Sequence, residues 1–127
     1  MAFQIKRVYE PAAAADGIRV LVDRLWPRGM KKSAAELAFW MKDLAPSPRL
    51  RLWFDHRPER FAEFSHRYRA ELKGNSQLLE LRKLGKSKRV TLLYGARDPG
   101  VNHAVVLQRV LSGRGSRPKA KAARKKT

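Results

Sequence analysis

Three segments of the chain carry the apolar and β-branched residues typical of buried β-strands. Residues 3–9 (FQIKRVY) alternate between apolar and polar positions, whereas residues 18–26 (IRVLVDRLW) and 89–96 (RVTLLYGA) are apolar over longer stretches. Alternation is typical of a strand with one buried face, and a continuous apolar run suits a strand with apolar neighbours on both faces. The pattern therefore predicts three strands.

Residues 31–48 (KKSAAELAFWMKDLAPSP) show a helical pattern between the second and third strands. Ser33 precedes Glu36 by three positions, the spacing of a capping box at a helix start. Apolar residues then recur at one helical face, and prolines follow them. This spacing predicts a helix with the stripe Leu37, Trp40, Met41 and Leu44, ended by Pro46 and Pro48.

Four further helical segments follow the same kind of reasoning. Residues 50–56 predict a short helix, and residues 59–74 a long one that ends at Gly74. Residues 76–85 predict a helix stopped by Gly85, and residues 101–113 a last helix. The apolar face of the long helix consists of Phe61, Phe64, Tyr68 and Leu72.

Strands separated by helices predict an α/β fold: a small, mostly parallel sheet of about three strands with helices packed around it, in a single domain. A long crossover, roughly residues 26–88, joins the second and third strands, and it should be right-handed. Ligands of such sheets bind at loops that leave the carboxyl ends of the strands. The qualifying loops are 23–29 (DRLWPRG) and 94–103 (YGARDPGVNH).

The charge of the chain changes the expected partners. The formal net charge is +18, and seven Lys and Arg residues but no acids lie in residues 114–127. Residues 1–113 retain 22 basic and 11 acidic residues, a net charge of +11. Such a surface attracts a phosphate-bearing small molecule, nucleic acid or anionic lipid. We expect a domain over residues 1–113 and a flexible basic tail over residues 114–127, which lacks the apolar residues needed for a core.

Composition also removes several classes of function. The chain has no cysteine, which excludes disulfides, thiol nucleophiles and thiolate metal sites. Its three histidines lack metal-ligand spacing, and residues 95–100 lack a full glycine-rich nucleotide motif, so no metal or cofactor is expected. No apolar run reaches 18 residues, and the charged start argues against a signal peptide, so we expect a cytoplasmic protein without a membrane span.

The two qualifying loops concentrate the residues with chemical potential. Asp23 and His103 are the candidate catalytic residues, since a carboxylate can act as base or nucleophile and an imidazole can move protons near neutral pH. The candidate ligand-binding residues are Arg24, Arg28, Tyr94 and Asn102, because guanidinium groups match phosphate or carboxylate and the others can fix a base or sugar. Free backbone N–H groups near 101–103 add an anion-binding feature.

Structural interpretations compete with these roles. Asp23 and Arg24 can form an ordinary ion pair, and Trp26 suits packing better than base stacking. His103 can simply cap a helix, while His56 and His66 suit exposed positions. The residues favour an anion- or nucleotide-binding pocket at the carboxyl ends of the strands, which an enzyme acting on a nucleotide or nucleic-acid component would use. The alternative is a non-catalytic module that binds nucleic acid through phosphates without sequence preference. An adaptor for an anionic membrane or a protein is a third, weaker alternative.

Two blocks of sequence carry a resemblance to a known family. VDRLWPRG (22–29) and LLYGARDPGVNHA (92–104) resemble the YeaO-like branch of the domain of unknown function family 488, over about residues 4–112. The resemblance implies a compact α/β domain and no established reaction. Asp23, Arg24 and His103 match motif positions of the wider family. Asn102 stands where longer members carry cysteine, and Ala104 where they carry arginine.

Overall fold

Four parallel strands form a single sheet, which the computed structural model describes within residues 3–113. The strands are β1 (Phe3–Arg7), β2 (Ile18–Leu21), β3 (Phe39–Trp40) and β4 (Val90–Tyr94), and their order is β1-β4-β2-β3. β4 is buried along its whole length, with β1 on one side and β2 on the other. This confirms the predicted α/β class with a small parallel sheet. The proposed tail at 114–127 lies outside the described residues.

The helices lie in the connections after β2 and β3 and at the end of the described chain after β4. They are α1 (Lys32–Ala35), α2 (Pro48–Phe54), α3 (Phe61–Leu72), α4 (Ser76–Ser87) and α5 (His103–Leu111). Short 3-10 turns span Ala14–Asp16, Lys42–Leu44 and Pro58–Arg60. None of the helices within 3–113 is long and apolar enough to cross a membrane.

The sheet has a buried layer on each face. Val20, Val22 and Leu92 belong to the larger core, which α2 to α5 cover, whereas Leu21 and Leu93 belong to a smaller core on the other face. This division follows from the alternation of side chains along a strand. The predicted face of α3 is confirmed, since Phe64, Tyr68 and Leu72 are buried and Phe61 packs against the larger core.

The long helix expected over residues 31–48 is wrong. Only α1 forms, and its C-cap Glu36 has a left-handed φ of 46°. The N-cap is Lys31 rather than Ser33 and has no side-chain cap, so the predicted capping box is absent there. The chain then becomes β3, whose register places Phe39 beside Val20.

The apolar stripe of that segment serves two cores rather than one helical face. Leu37 and Trp40 pack against the smaller core, whereas Met41 and Leu44 are buried in the larger one. Backbone bonds to β2 hold this arrangement, including Met41 N–H to the Leu21 carbonyl at 2.9 Å. The unexpected edge strand β3 accounts for the fourth strand of the sheet.

Gly85 does not end a helix as predicted, because α4 continues to Ser87. A Cβ at position 85 would lie 2.2 Å from the ring of Phe3. The glycine therefore permits close packing of α4 against the start of β1.

Candidate functional site

The exit loops of β2 and β4 lie side by side, as expected for neighbouring parallel strands. Val22 N–H donates to the Leu93 carbonyl at 3.1 Å, which extends the pairing one residue beyond β2. The backbone N–H of Gly95 then donates to Asp23 Oδ2 at 2.9 Å. Asp23 therefore joins the two loops at the carboxyl end of the sheet.

Asp23 and His103 form a close pair at this edge. Nε2 of His103 lies 3.2 Å from Asp23 Oδ1 and 3.0 Å from the Val22 carbonyl oxygen. Both neighbours are acceptors, so Nε2 carries a hydrogen. The carbonyl takes the better-aligned hydrogen bond, and Asp23 Oδ1 is a buried oxygen without one.

Tyr68 supports the imidazole from the side of α3. The two rings meet edge to face, with centroids 6.1 Å apart. The Tyr68 hydroxyl donates to the Leu44 carbonyl. Burial raises the pKa of Tyr68, so its hydroxyl remains protonated and keeps this donor role.

Arg24 contacts backbone rather than its neighbour Asp23. Nη2 donates to the carbonyls of Ala45 and Pro46 at 3.3 and 3.4 Å, and Nε is a buried nitrogen with no hydrogen-bond partner. The alternative of an Asp23–Arg24 ion pair is therefore wrong, since the basic side chain that lies beside the Asp23 carboxylate is His103. Arg24 has no carboxylate within 4 Å anywhere in residues 3–113.

A cleft of about 350 Å³ opens beside these residues. Four of the six predicted site residues line it: Asp23, Arg24, Asn102 and His103. Phe54 and Phe64 add apolar surface, with rings stacked at 4.2 Å. The volume lies at the lower end of the range for small-molecule sites.

The other two predicted site residues lie outside the lining of the cleft. The Arg28 side chain is exposed, and its backbone carbonyl accepts the Tyr9 hydroxyl at 2.8 Å. Tyr94 is 2% exposed, and burial, followed by the charge of Glu10, raises the pKa of its phenol. Tyr94 therefore acts as a neutral core residue.

Asn102 caps α5 and uses its side chain for that purpose. Its Oδ1 accepts the Val105 N–H at 3.1 Å, and its Nδ2 donates to the Asp98 carbonyl at 2.8 Å. Asp98 Oδ1 in turn accepts the N–H groups of Gly100 and Val101. The expectation of a free N–H at Val101 is therefore wrong, because a side chain of the same loop already binds it.

Trp26 is a packing residue, as the structural interpretation held. Its ring lies edge to face with Trp40 at 5.3 Å, against the smaller core. Its Nε1–H donates to the Met30 carbonyl at 2.7 Å. These contacts hold the loop after β2 on the face of the sheet opposite α3 and α5.

Sequence reasoning missed three cleft residues at the end of α2: Arg51, Asp55 and His56. His56 is exposed, as expected, yet it lines the cleft. Asp55 and His56 have left-handed φ values of 50° and 54°, uncommon for residues other than glycine. No local sequence pattern indicates these positions, because α2 belongs to the long crossover and its place at the cleft depends on how the crossover packs on the sheet.

The charges of the cleft are unevenly matched. Asp23 faces His103, and Asp55 lies 3.6 Å from the guanidinium of Arg57. Neither Arg24 nor Arg51 has a carboxylate within 4 Å in the part of the chain that the structure describes. Within residues 3–113, no group of three or more metal-ligating side chains is placed to hold a metal ion.

Comparisons with known proteins agree with the resemblance seen in the sequence. A family model described as the inactive DUF488-N3 subclade matches residues 2–126. The chain is 47% identical to the uncharacterized protein Rv3073c of Mycobacterium tuberculosis over 111 residues, which cover 87% of this chain and 94% of that one. It is 45% identical to the uncharacterized protein YeaO of Escherichia coli over 108 residues, 84% and 94% of the two chains. No solved structure shows a significant match.

Proposed function

This chain belongs to the YeaO-like branch of the DUF488 family, and we propose that it is a non-catalytic domain that binds a phosphate-bearing small molecule in the cleft at the ends of β2 and β4. The observation that carries the proposal is the guanidinium of Arg24. It lies on the cleft, has a buried Nε without a partner, and lacks a neutralising carboxylate.

An unpaired, partly buried cation is costly unless a ligand supplies the opposite charge. The two carbonyl contacts of Arg24 are long, at 3.3 and 3.4 Å, so they compensate its charge only in part. Arginine presents a planar set of donors that matches phosphate oxygens. Arg51 adds a second cation on the same cleft.

The non-catalytic part of the proposal is supported by Asn102. In nucleophilic catalysis, a histidine acts as the base for a nucleophilic side chain that lies beside it. The resemblance places a cysteine of the wider family at position 102, where this chain has the capping asparagine. The description of the matched subclade as inactive points the same way. Asp23 and His103 then position the loops and contact the ligand rather than transfer protons.

Calorimetric titration with inorganic pyrophosphate and ribose 5-phosphate tests the binding function. We expect Arg24→Gln to weaken binding at least about tenfold, equivalent to about 1.4 kcal/mol. Arg28→Gln is the matched control, since it removes the same charge from the same loop but from an exposed side chain outside the cleft. Absence of binding by the unmodified chain, or equal binding by the Arg24→Gln variant, refutes the proposal.

Phosphorus NMR tests the absence of catalysis. We expect ribose 5-phosphate to keep its single phosphomonoester signal during prolonged incubation with the protein. Release of inorganic phosphate that disappears in a His103→Ala variant would show an enzyme instead.

Nucleic-acid binding is a second candidate function, and the charge of the chain favours it. The excess of 11 basic residues in 1–113, with seven more in 114–127, suits contacts with a phosphate backbone. Such binding uses the exposed surface and does not depend on Arg24. The two functions can therefore be separated by mutation.

A further inference from the structure

Two of the most exposed apolar side chains lie on the same cleft as the unpaired guanidinium. Leu25 is 65% exposed and Leu52 is 81% exposed, and both line the cleft. Single exposed leucines are ordinary in soluble proteins. Here they directly follow Arg24 and Arg51, so each of two segments supplies one cation and one apolar side chain.

We propose that the ligand of this cleft is a nucleoside 5′-monophosphate, with the phosphate at Arg24 and the nucleobase against Leu25 and Leu52. This inference rests on the proposed function and names its ligand class. Inorganic phosphate would leave the exposed side chains of Leu25 and Leu52 in contact with water. A planar base would cover that apolar surface, because nucleobases bound in protein pockets stack against apolar side chains.

Polar groups beside Leu52 favour a heterocycle over an acyl chain. Asp55 and His56 follow the last turn of α2 and also line the cleft. Their carboxylate and imidazole can pair with ring nitrogens and exocyclic amino groups, which an acyl chain lacks. Both residues have left-handed backbone conformations. Such conformations persist only where the surrounding structure maintains them, and they cluster at ligand sites.

The size of the cleft agrees with this ligand class. A volume of about 350 Å³ accommodates one mononucleotide and leaves little room for a dinucleotide. The open side allows the base to lie near the exposed leucines while the phosphate lies against the guanidinium of Arg24, which lines the cleft. The ligand would thus combine an anionic group with a planar, partly apolar one.

Affinities for AMP, UMP, ribose 5-phosphate and octyl phosphate test the inference by calorimetry. We expect at least one of the two nucleotides, AMP or UMP, to have an affinity at least tenfold higher than that of ribose 5-phosphate. Leu52→Ser should reduce this preference at least threefold and leave ribose 5-phosphate binding unchanged. Leu79→Ser is the matched control, because Leu79 is also exposed, at 56%, but lies on α4 outside the cleft.

Each contrary result has a distinct meaning. Equal binding of AMP, UMP and ribose 5-phosphate overturns the nucleobase inference and leaves the proposed phosphate site standing. Tighter binding of octyl phosphate than of either nucleotide overturns it in favour of an acyl chain. Failure of all four compounds to bind overturns the nucleobase inference, and failure of inorganic pyrophosphate to bind as well overturns the proposed function. An equal effect of the Leu52 and Leu79 substitutions removes the assigned role of Leu52.

Discussion

Oδ1 of Asp23 lies 3.2 Å from Nε2 of His103, and this contact joins the end of β2 to the start of α5. The same carboxylate accepts the Gly95 N–H after β4 at 2.9 Å. One side chain therefore connects three elements around the cleft.

We expect Asp23→Ala to lower the free energy of unfolding by about 1–3 kcal/mol, because it leaves the Gly95 N–H without an acceptor. Asp23→Asn should cost less, since its amide oxygen can still accept that hydrogen bond. Urea denaturation measures both. Asp55→Asn is the control: it removes a cleft carboxylate that is exposed and should change stability by less than about 0.5 kcal/mol. Equal stability of the Asp23→Ala variant and the unmodified chain contradicts the assigned role.

Gly85→Ala should destabilise the protein although alanine favours helices. The added Cβ would lie 2.2 Å from the Phe3 ring, which is buried in the larger core. Overpacking of this kind costs about 1–3 kcal/mol, more than the roughly 1 kcal/mol gained in helix propensity. Thermal unfolding measures the net effect. The double variant Gly85→Ala with Phe3→Leu should recover part of the loss, and a stabilised single variant would show that the contact is relaxed.

Stability at acid pH should depend on Asp16. Burial is the largest single effect on this carboxyl and raises its pKa. The hydrogen bonds from Ala13, Lys6 and Arg19 outweigh it together, so the pKa is lowered below its usual value. Because the pKa is lower in the folded state, ionised Asp16 stabilises the protein at pH values above its unfolded-state pKa of about 4. This contribution is lost as pH falls from about 4 through the lowered pKa.

Asp16→Asn should remove that pH dependence and lower stability at neutral pH by about 3–5 kcal/mol, because Arg19 then stays buried without its partner at 2.6 Å. Glu63→Gln is the matched acid-to-amide control, since its bond to Arg67 is exposed. Urea denaturation between pH 2 and 7 compares the two. A parallel pH profile for the Asp16→Asn variant and the unmodified chain contradicts the prediction.

Nucleic-acid binding should respond to the basic residues of 114–127. If they contact phosphates, replacement of all seven by Gln should make log K less steep against log salt by up to about 0.9 per lost contact. Fluorescence anisotropy with a short duplex measures the slope. Arg24→Gln should leave it nearly unchanged, whereas a response only to Arg24→Gln would place nucleic acid in the cleft.

Helix α3 and strand β4 were predicted correctly from their apolar patterns. In α3, residues 64, 68 and 72 all face the same core, so the apolar period matches the helix. In β4, every residue is buried, and its continuous apolar run reflects that environment. Local pattern and tertiary packing coincide in both cases, because α3 has one buried face and β4 has two.

The segment 31–48 shows where spacing misleads. Trp40 and Met41 are adjacent in sequence but belong to cores on opposite faces of the sheet. Their alternation is that of an edge strand, and a helical template fits the same residues by coincidence. Pairing with β2 outweighed helix propensity there, since backbone bonds and burial on both faces were available.

The cleft divides in the same way. Asp23 and His103 could be placed together from sequence, because parallel neighbouring strands end at one edge and each residue follows such a strand closely. Arg51, Asp55 and His56 could not, since α2 reaches this edge only through the docking of the crossover on the larger core. That docking depends on contacts such as Phe54 against Phe64, and its result is not encoded in the spacing of α2 itself. Arg24 combines both cases: its residue type suggested an anion, but its lack of a carboxylate partner follows from the packing around it.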